Sequence, residues 1–133
     1  MKTSTIGFIL FLILASSPFT LLIHAQTPIV DVSLSVTPSK TLVLPGTSVS
    51  YLYNVTNTGE VPLTGNITDG TFGVVGSFVN LAPGGWVGFN VTHVITMNTS
   101  NVVTAYGFDQ YQNLATDVVS VFVQVYSLTD KDS

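Results

Sequence analysis

The chain has 133 residues, of which 46% are hydrophobic and only 8% are charged, and its formal net charge is −4. With only three Lys or Arg residues, it lacks the basic clusters that binding to nucleic acid or to an anionic membrane surface requires. It contains no cysteine, so disulfides cannot stabilise it and a hydrophobic core must hold the fold together.

The first 25 residues have the features of a secretory signal peptide. Lys2 supplies a positive charge, an apolar stretch follows, and Ala25 ends a cleavage site of the small-residue kind. An uncleaved membrane anchor is the alternative, but two serines and a proline interrupt the apolar stretch, which favours cleavage. We therefore expect a secreted chain that begins at Gln26, lies outside the cell or at its surface, and has no later membrane span.

The mature chain opens with the alternating sequence IVDVSLSVT, which predicts a strand within residues 26–37. A strand at a chain terminus can leave its own domain and pair with a neighbouring copy, so this segment is a candidate donor strand. The alternative is that it forms the first strand of its own domain. The side chains that a donated strand would insert are Ile29, Val30, Val32, Leu34 and Val36.

Residues 38–126 continue the period-two alternation, with turn sequences rich in Pro, Gly, Asn and Asp between the apolar runs. No segment keeps a helical period, and residues 127–133 form a polar tail. We predict an all-β fold, an immunoglobulin-like antiparallel β-sandwich of about seven to eight strands. A barrel is the alternative, although the chain is short for one that encloses a ligand. The inward-facing sets run from Val49 to Val55, from Val87 to His93 and from Val119 to Val125, and weaker strands are predicted near Leu42 to Leu44, Leu63 to Ile67, Phe72 to Phe78 and Val102 to Phe108.

Four Asn-x-Ser/Thr triplets are candidate N-glycosylation sites, at Asn54, Asn66, Asn90 and Asn98. None has proline in the middle, so each could accept a glycan in a host with the required machinery. The alternation of the strands predicts that the side chains of the first three point outward, and Asn98 falls in a predicted loop. Chance is the alternative, because a chain rich in Asn, Ser and Thr forms such triplets freely.

The sequences YNVTNTGEVPLT, LAPG and TAYGFDQYQNLATD resemble an immunoglobulin-like conserved repeat of large secreted bacterial and archaeal surface proteins. The resemblance runs from Pro28 to Val125 and implies a spacer, stalk or adhesive module without enzymatic activity. This chain has a single copy, whereas the repeats often occur in tandem. More loosely, a small secreted β-sandwich dense in sequons is similar to subunits of archaeal thread-type filaments, which polymerise by donating a strand to the next subunit.

A catalytic or metal-binding set is not evident in the mature sequence. His93 is its one histidine and lies in phase with inward-facing Phe89, so we predict a packed side chain. Asp69, Asp109 and Asp117 lie near turns but lack calcium-loop spacing, and we predict that they cap turns. We therefore expect no enzyme, no metal site and no cofactor.

Several large apolar side chains fall in the outward phase. Bulges that break the phase, contact with glycans and a surface covered by another subunit are the three explanations. We expect mainly a partner surface. The residues are Trp86, Tyr106, Phe108, Val118, Phe122 and Tyr126.

These observations predict a structural, secreted glycoprotein, the subunit of an extracellular filament or surface coat that assembles by strand donation between copies. Its expected partners are other copies of the chain, N-linked glycans and other surface proteins. The alternative is a monomeric cell-surface adhesin or carbohydrate-binding module in which Trp86, Tyr106 and Phe108 form a stacking platform.

Overall fold

The computed structural model describes residues 26–128, so the predicted signal peptide and residues 129–133 of the predicted tail lie outside the described residues. Within residues 26–128 every regular element is a β-strand, and no helix is long and apolar enough to cross a membrane. The strands are β1 (Val32–Pro38), β2 (Leu42–Val43), β3 (Thr47–Asn57), β4 (Leu63–Asp69), β5 (Gly73–Leu81), β6 (Trp86–Ile95), β7 (Thr99–Phe108) and β8 (Leu114–Val125).

Two sheets form the fold: a three-stranded sheet in the order β1-β3-β6 and a five-stranded sheet in the order β2-β8-β7-β4-β5. Every pair is antiparallel except β2 with β8, which is parallel. After β1 the chain crosses between the sheets, and Thr41 and Val43 accept backbone hydrogen bonds from Gln124 and Tyr126. Two sheets linked in this strand order make an immunoglobulin-like β-sandwich, which confirms the predicted fold class.

The core lies between the sheets and is built from the alternating residues of the central strands. On β3, Val49, Tyr51, Tyr53 and Val55 are all fully buried, and on β7 Val103 is fully buried. Complete burial of one such side chain stabilises the fold by about 1.5–3 kcal/mol. The alternation that predicted these strands therefore also selects the residues that hold the two sheets together.

A buried polar cluster also crosses between the sheets. The Tyr53 hydroxyl on β3 donates to Asp69 Oδ2 at 2.7 Å, and Asn101 Nδ2 on β7 donates to both Asp69 oxygens at 2.9 and 2.8 Å. The backbone amides of Thr71 and Phe72 donate to Asp69 Oδ1 at 2.9 and 3.2 Å. This cluster joins β3 of one sheet to β4 and β7 of the other without a disulfide.

Candidate functional site

The candidate donor segment lies against its own domain in the single chain. β1 pairs antiparallel with β3 from Val32 to Pro38, and Val32 and Leu34 are buried in the core. Val30 and Val36 are half-buried and Ile29 is exposed. The segment thus takes the position of the first strand of the sandwich, the alternative arrangement that the sequence left open.

β1 is nevertheless an edge strand of its sheet. It pairs with β3 alone, so its departure would break no other strand pair. The backbone amide of Leu34 donates to Asp117 Oδ2 at 2.8 Å, and that of Ile29 donates to Glu60 Oε1 at 2.9 Å. The Asp117 carboxylate therefore accepts hydrogen bonds from Leu34 on the free edge of β1 and from the amide of Val118. The prediction that Asp117 caps a turn did not include the contact with β1.

β6 is the opposite edge of the three-stranded sheet, and it is an open one. It pairs with β3 over ten residues without a register shift, and between Trp86 and Ile95 it has no proline, Lys, Asp or Glu. β5, one of the two edge strands of the other sheet, has two register shifts against β4. Long, regular, uncharged edges are the ones that accept an added strand.

The outward-phase apolar residues are exposed. β7 pairs with β8 without a register shift, so bulges do not account for the outward phase of Tyr106, Phe108, Val118 and Phe122. All four are more than a third exposed, and so is Tyr126, which follows β8. The outward residues of the five-stranded sheet include no charged side chain. This face, termed the apolar face below, has the composition of a contact surface.

Trp86 does not belong to the apolar face. It lies on β6 of the three-stranded sheet, whereas Tyr106 and Phe108 lie on β7 of the five-stranded sheet. The alternative of one platform formed by all three aromatic residues is therefore excluded, because the two sheets turn their outer faces away from each other. The alternation of the sequence indicates that each of these side chains points outward, but it does not indicate to which sheet the residue belongs.

The structure places the four sequons in different surroundings. Asn54 and Asn66 are half-buried, while Asn90 and Asn98 are exposed. Asn54 pairs with Gly88, and Asn66 pairs with Tyr106 on the apolar face. Asn90 pairs with Leu52 on β3, and Asn98 lies between β6 and β7.

An open groove of about 500 Å³ lies beside the apolar face, between the β3–β4 and β7–β8 loops. Phe108 and Tyr111 supply aromatic surface, and Asn80, Gln110 and Gln112 supply amide groups. Tyr111 is 75% exposed. Sequence reasoning missed Tyr111 because it lies in a turn, where strand phase gives no information about exposure.

The remaining titratable side chains have structural surroundings. The His93 ring stacks on Phe72 with centroids 3.5 Å apart, in line with the predicted packed side chain. Asp109 accepts hydrogen bonds from Tyr111 and Asn113, and the side-chain bond from Asn113 is the main cause that lowers its pKa. Burial, together with the Asp69 hydrogen bond, raises the pKa of Tyr53. Within residues 26–128, no group of three or more His, Cys, Asp or Glu side chains is placed to hold a metal ion.

Comparisons with known proteins found solved structures of low similarity to this chain. No protein-family model and no curated protein matches the sequence. A CARDB domain of the PF1109 protein from Pyrococcus furiosus, solved in complex with di-metal ions, is 16% identical at a TM-score of 0.48, over 78% of this chain and 93% of that one. Spo0M, a sporulation control protein from Bacillus subtilis, is 15% identical at a TM-score of 0.41, over 74% of this chain and 51% of that one. Membership of the surface-protein repeat family stays a prediction.

Proposed function

We propose that the chain is a secreted, N-glycosylated structural subunit that assembles with copies of itself into an extracellular filament or surface coat. The observation that carries the proposal is the position of β1, a terminal edge strand that pairs with β3 alone and buries Val32 and Leu34. A groove filled by the chain's own first strand can be filled by the same strand of a neighbour, because the contacts are identical.

The connection between β1 and β2 supports this exchange. Only residues 39–41 separate Pro38 from Leu42. A short connection that must bridge two sheets favours an extended form in which β1 reaches another subunit. The uncharged apolar face then provides a second contact area between neighbouring subunits or with other surface proteins. Each subunit in such an assembly donates one strand and receives one, so the subunits join head to tail in a linear polymer.

The direct test is electron microscopy of material sheared from the native host, with mass spectrometry of the purified fraction. Filaments composed mainly of this chain, starting at Gln26, are expected. A variant that lacks residues 26–37 should enter no filament, and a peptide of that sequence added in trans should bind the truncated subunit. The matched control is a peptide with Leu34→Asp, which places a charge at a buried position and should not bind. Normal polymerisation of the truncated subunit would overturn strand donation.

A second candidate function is carbohydrate binding at the groove. Exposed Phe108 and Tyr111 beside three amide side chains are suited to stack on a sugar ring and to bond its hydroxyls. Binding to a glycan array that Tyr111→Ala abolishes and Trp86→Ala leaves intact would favour this function. We propose no enzymatic activity.

A further inference from the structure

Gly88 leaves a gap of about one methyl group on the outer face of the three-stranded sheet. A Cβ atom built there would lie in ordinary van der Waals contact, 3.7 Å from Trp86 Cζ3 and 3.9 Å from Leu52 Cδ1. Trp86 is 66% exposed and Leu52 is 47% exposed. Glycine in the interior of a strand weakens it and often marks a place where a ligand approaches the backbone. The exposed side chain of Trp86 beside this gap is therefore a candidate binding surface.

Asn54 borders this gap, because the register of β3 with β6 pairs it directly with Gly88. The same register pairs Thr56 with Trp86, which places Trp86 diagonal to Asn54, within reach of a long aromatic side chain. Asn54 Oδ1 is buried and has no hydrogen-bond partner within the described residues. The Nδ2 atom, which carries the glycan in an Asn-x-Thr sequon, is then the outward end of the amide.

We propose that the exposed face of Trp86, beside this gap, is the docking site of the first sugars of an N-linked glycan on Asn54. The inference rests on the glycosylation that the proposed function includes. The apolar C–H face of a sugar ring stacks on an indole, while its hydroxyls stay in water at the rim. The outward neighbours Ser35 and Asn90 are uncharged hydrogen-bonding residues, so the site fits a neutral hexose or N-acetylhexosamine.

Docking explains two features that are otherwise unfavourable. A 66% exposed tryptophan leaves a large apolar area in water, which a covering sugar ring would reduce. A glycine in the middle of β6 lowers strand stability, yet a larger side chain at position 88 would fill the space beside Asn54. Together these features indicate that Gly88 keeps the space beside Asn54 free of a side chain and that Trp86 offers its exposed face to a covalently held ligand.

Trp86 is the only tryptophan in the chain, so its fluorescence reports on the gap directly. The wild-type protein purified from its host is compared with Asn54→Gln and with Asn98→Gln as the matched control. Asn98 lies beyond the far end of β6, roughly 30 Å from Trp86 at about 3.3 Å per strand residue. Loss of the Asn54 glycan should shift emission to longer wavelength and increase acrylamide quenching roughly twofold, because stacking covers one of the two ring faces. Asn98→Gln should behave as wild type.

Peptide mass spectrometry on the same samples separates the two proposals. If Asn54 carries a glycan and Trp86 is quenched equally with and without it, docking is overturned and glycosylation stands. If Asn54 carries no glycan in the native protein, docking and glycosylation at that position both fail. As a second readout, Trp86→Ala should lower the melting temperature in the wild-type background and leave it unchanged in Asn54→Gln. Equal effects in both backgrounds would also contradict docking.

Discussion

Replacement of Asp69 by alanine is expected to lower the free energy of unfolding substantially. The change removes the acceptor of four donors, of which the Tyr53 hydroxyl and the Asn101 amide are on fully buried residues. Each buried donor that loses its partner costs about 1.5 kcal/mol, so this pair gives about 3 kcal/mol, and the two half-buried backbone amides add a smaller amount. A loss of about 3–4 kcal/mol is a large part of the usual total of about 5–15 kcal/mol.

Urea denaturation of the wild type and of Asp69→Ala, followed by circular dichroism, measures this loss. In a domain of this size the melting temperature should fall by roughly 15 °C. Tyr53→Phe, which removes one donor and leaves the others bonded, should cost about 1–2 kcal/mol. Asp31→Ala is the control, because Asp31 is exposed and its removal should cost about 0.5 kcal/mol or less. A cost below about 1 kcal/mol for Asp69→Ala would refute the view that this cluster stabilises the sandwich.

Three further predictions concern pH, packing and assembly. The pKa of Tyr53 is raised in the folded state, so the Tyr53 hydroxyl of the unfolded chain loses its proton at a lower pH than that of the folded chain. The free energy of unfolding should therefore fall as pH rises above about 10. In urea denaturation at alkaline pH, Tyr53→Phe should reduce this fall. Gly76→Ala would place a Cβ in steric overlap with the ring of Phe89 and should cost about 1–3 kcal/mol. Gly88→Ala meets no atom closer than 3.7 Å and should leave the urea midpoint unchanged or slightly higher. Phe122→Asp, on the apolar face, should reduce self-association in sedimentation experiments without changing the melting temperature of the isolated subunit; a lower melting temperature with unchanged association would contradict a contact role for this face.

The fold could be predicted from the sequence because burial in a sandwich follows a period of two. The run from Val49 to Val55 alternates without interruption, and its inward members are all fully buried. The two-residue strand β2 is too short for a pattern, and β5 has register shifts that break the phase. Alternation therefore predicted the long, regular strands clearly, whereas β2 and β5 were predicted as weaker strands, near Leu42 to Leu44 and Phe72 to Phe78.

The candidate sites were harder to predict, because they depend on which strands become neighbours. Asp69 caps its turn as predicted, through the amides of Thr71 and Phe72. Its side-chain partners Tyr53 and Asn101, however, come from distant parts of the chain. One signal was available: Asn57 and Asn101 are polar residues in the inward phase of β3 and β7, and both are fully buried. Inward polar residues in a strand indicate a hydrogen-bonded cluster, and they can be searched for without a structure.

The parallel pairing of β2 with β8 has a mechanical consequence. These strands lie near the two ends of the described chain, and the hydrogen bonds from Gln124 to Thr41 and from Tyr126 to Val43 join them. When tension is applied to the two ends of the chain, the parallel strands β2 and β8 are pulled in opposite directions along their axes. The two hydrogen bonds between them are therefore loaded at the same time. β2 follows β1, so a subunit whose first strand sits in a neighbour still carries tension through its own terminal pair.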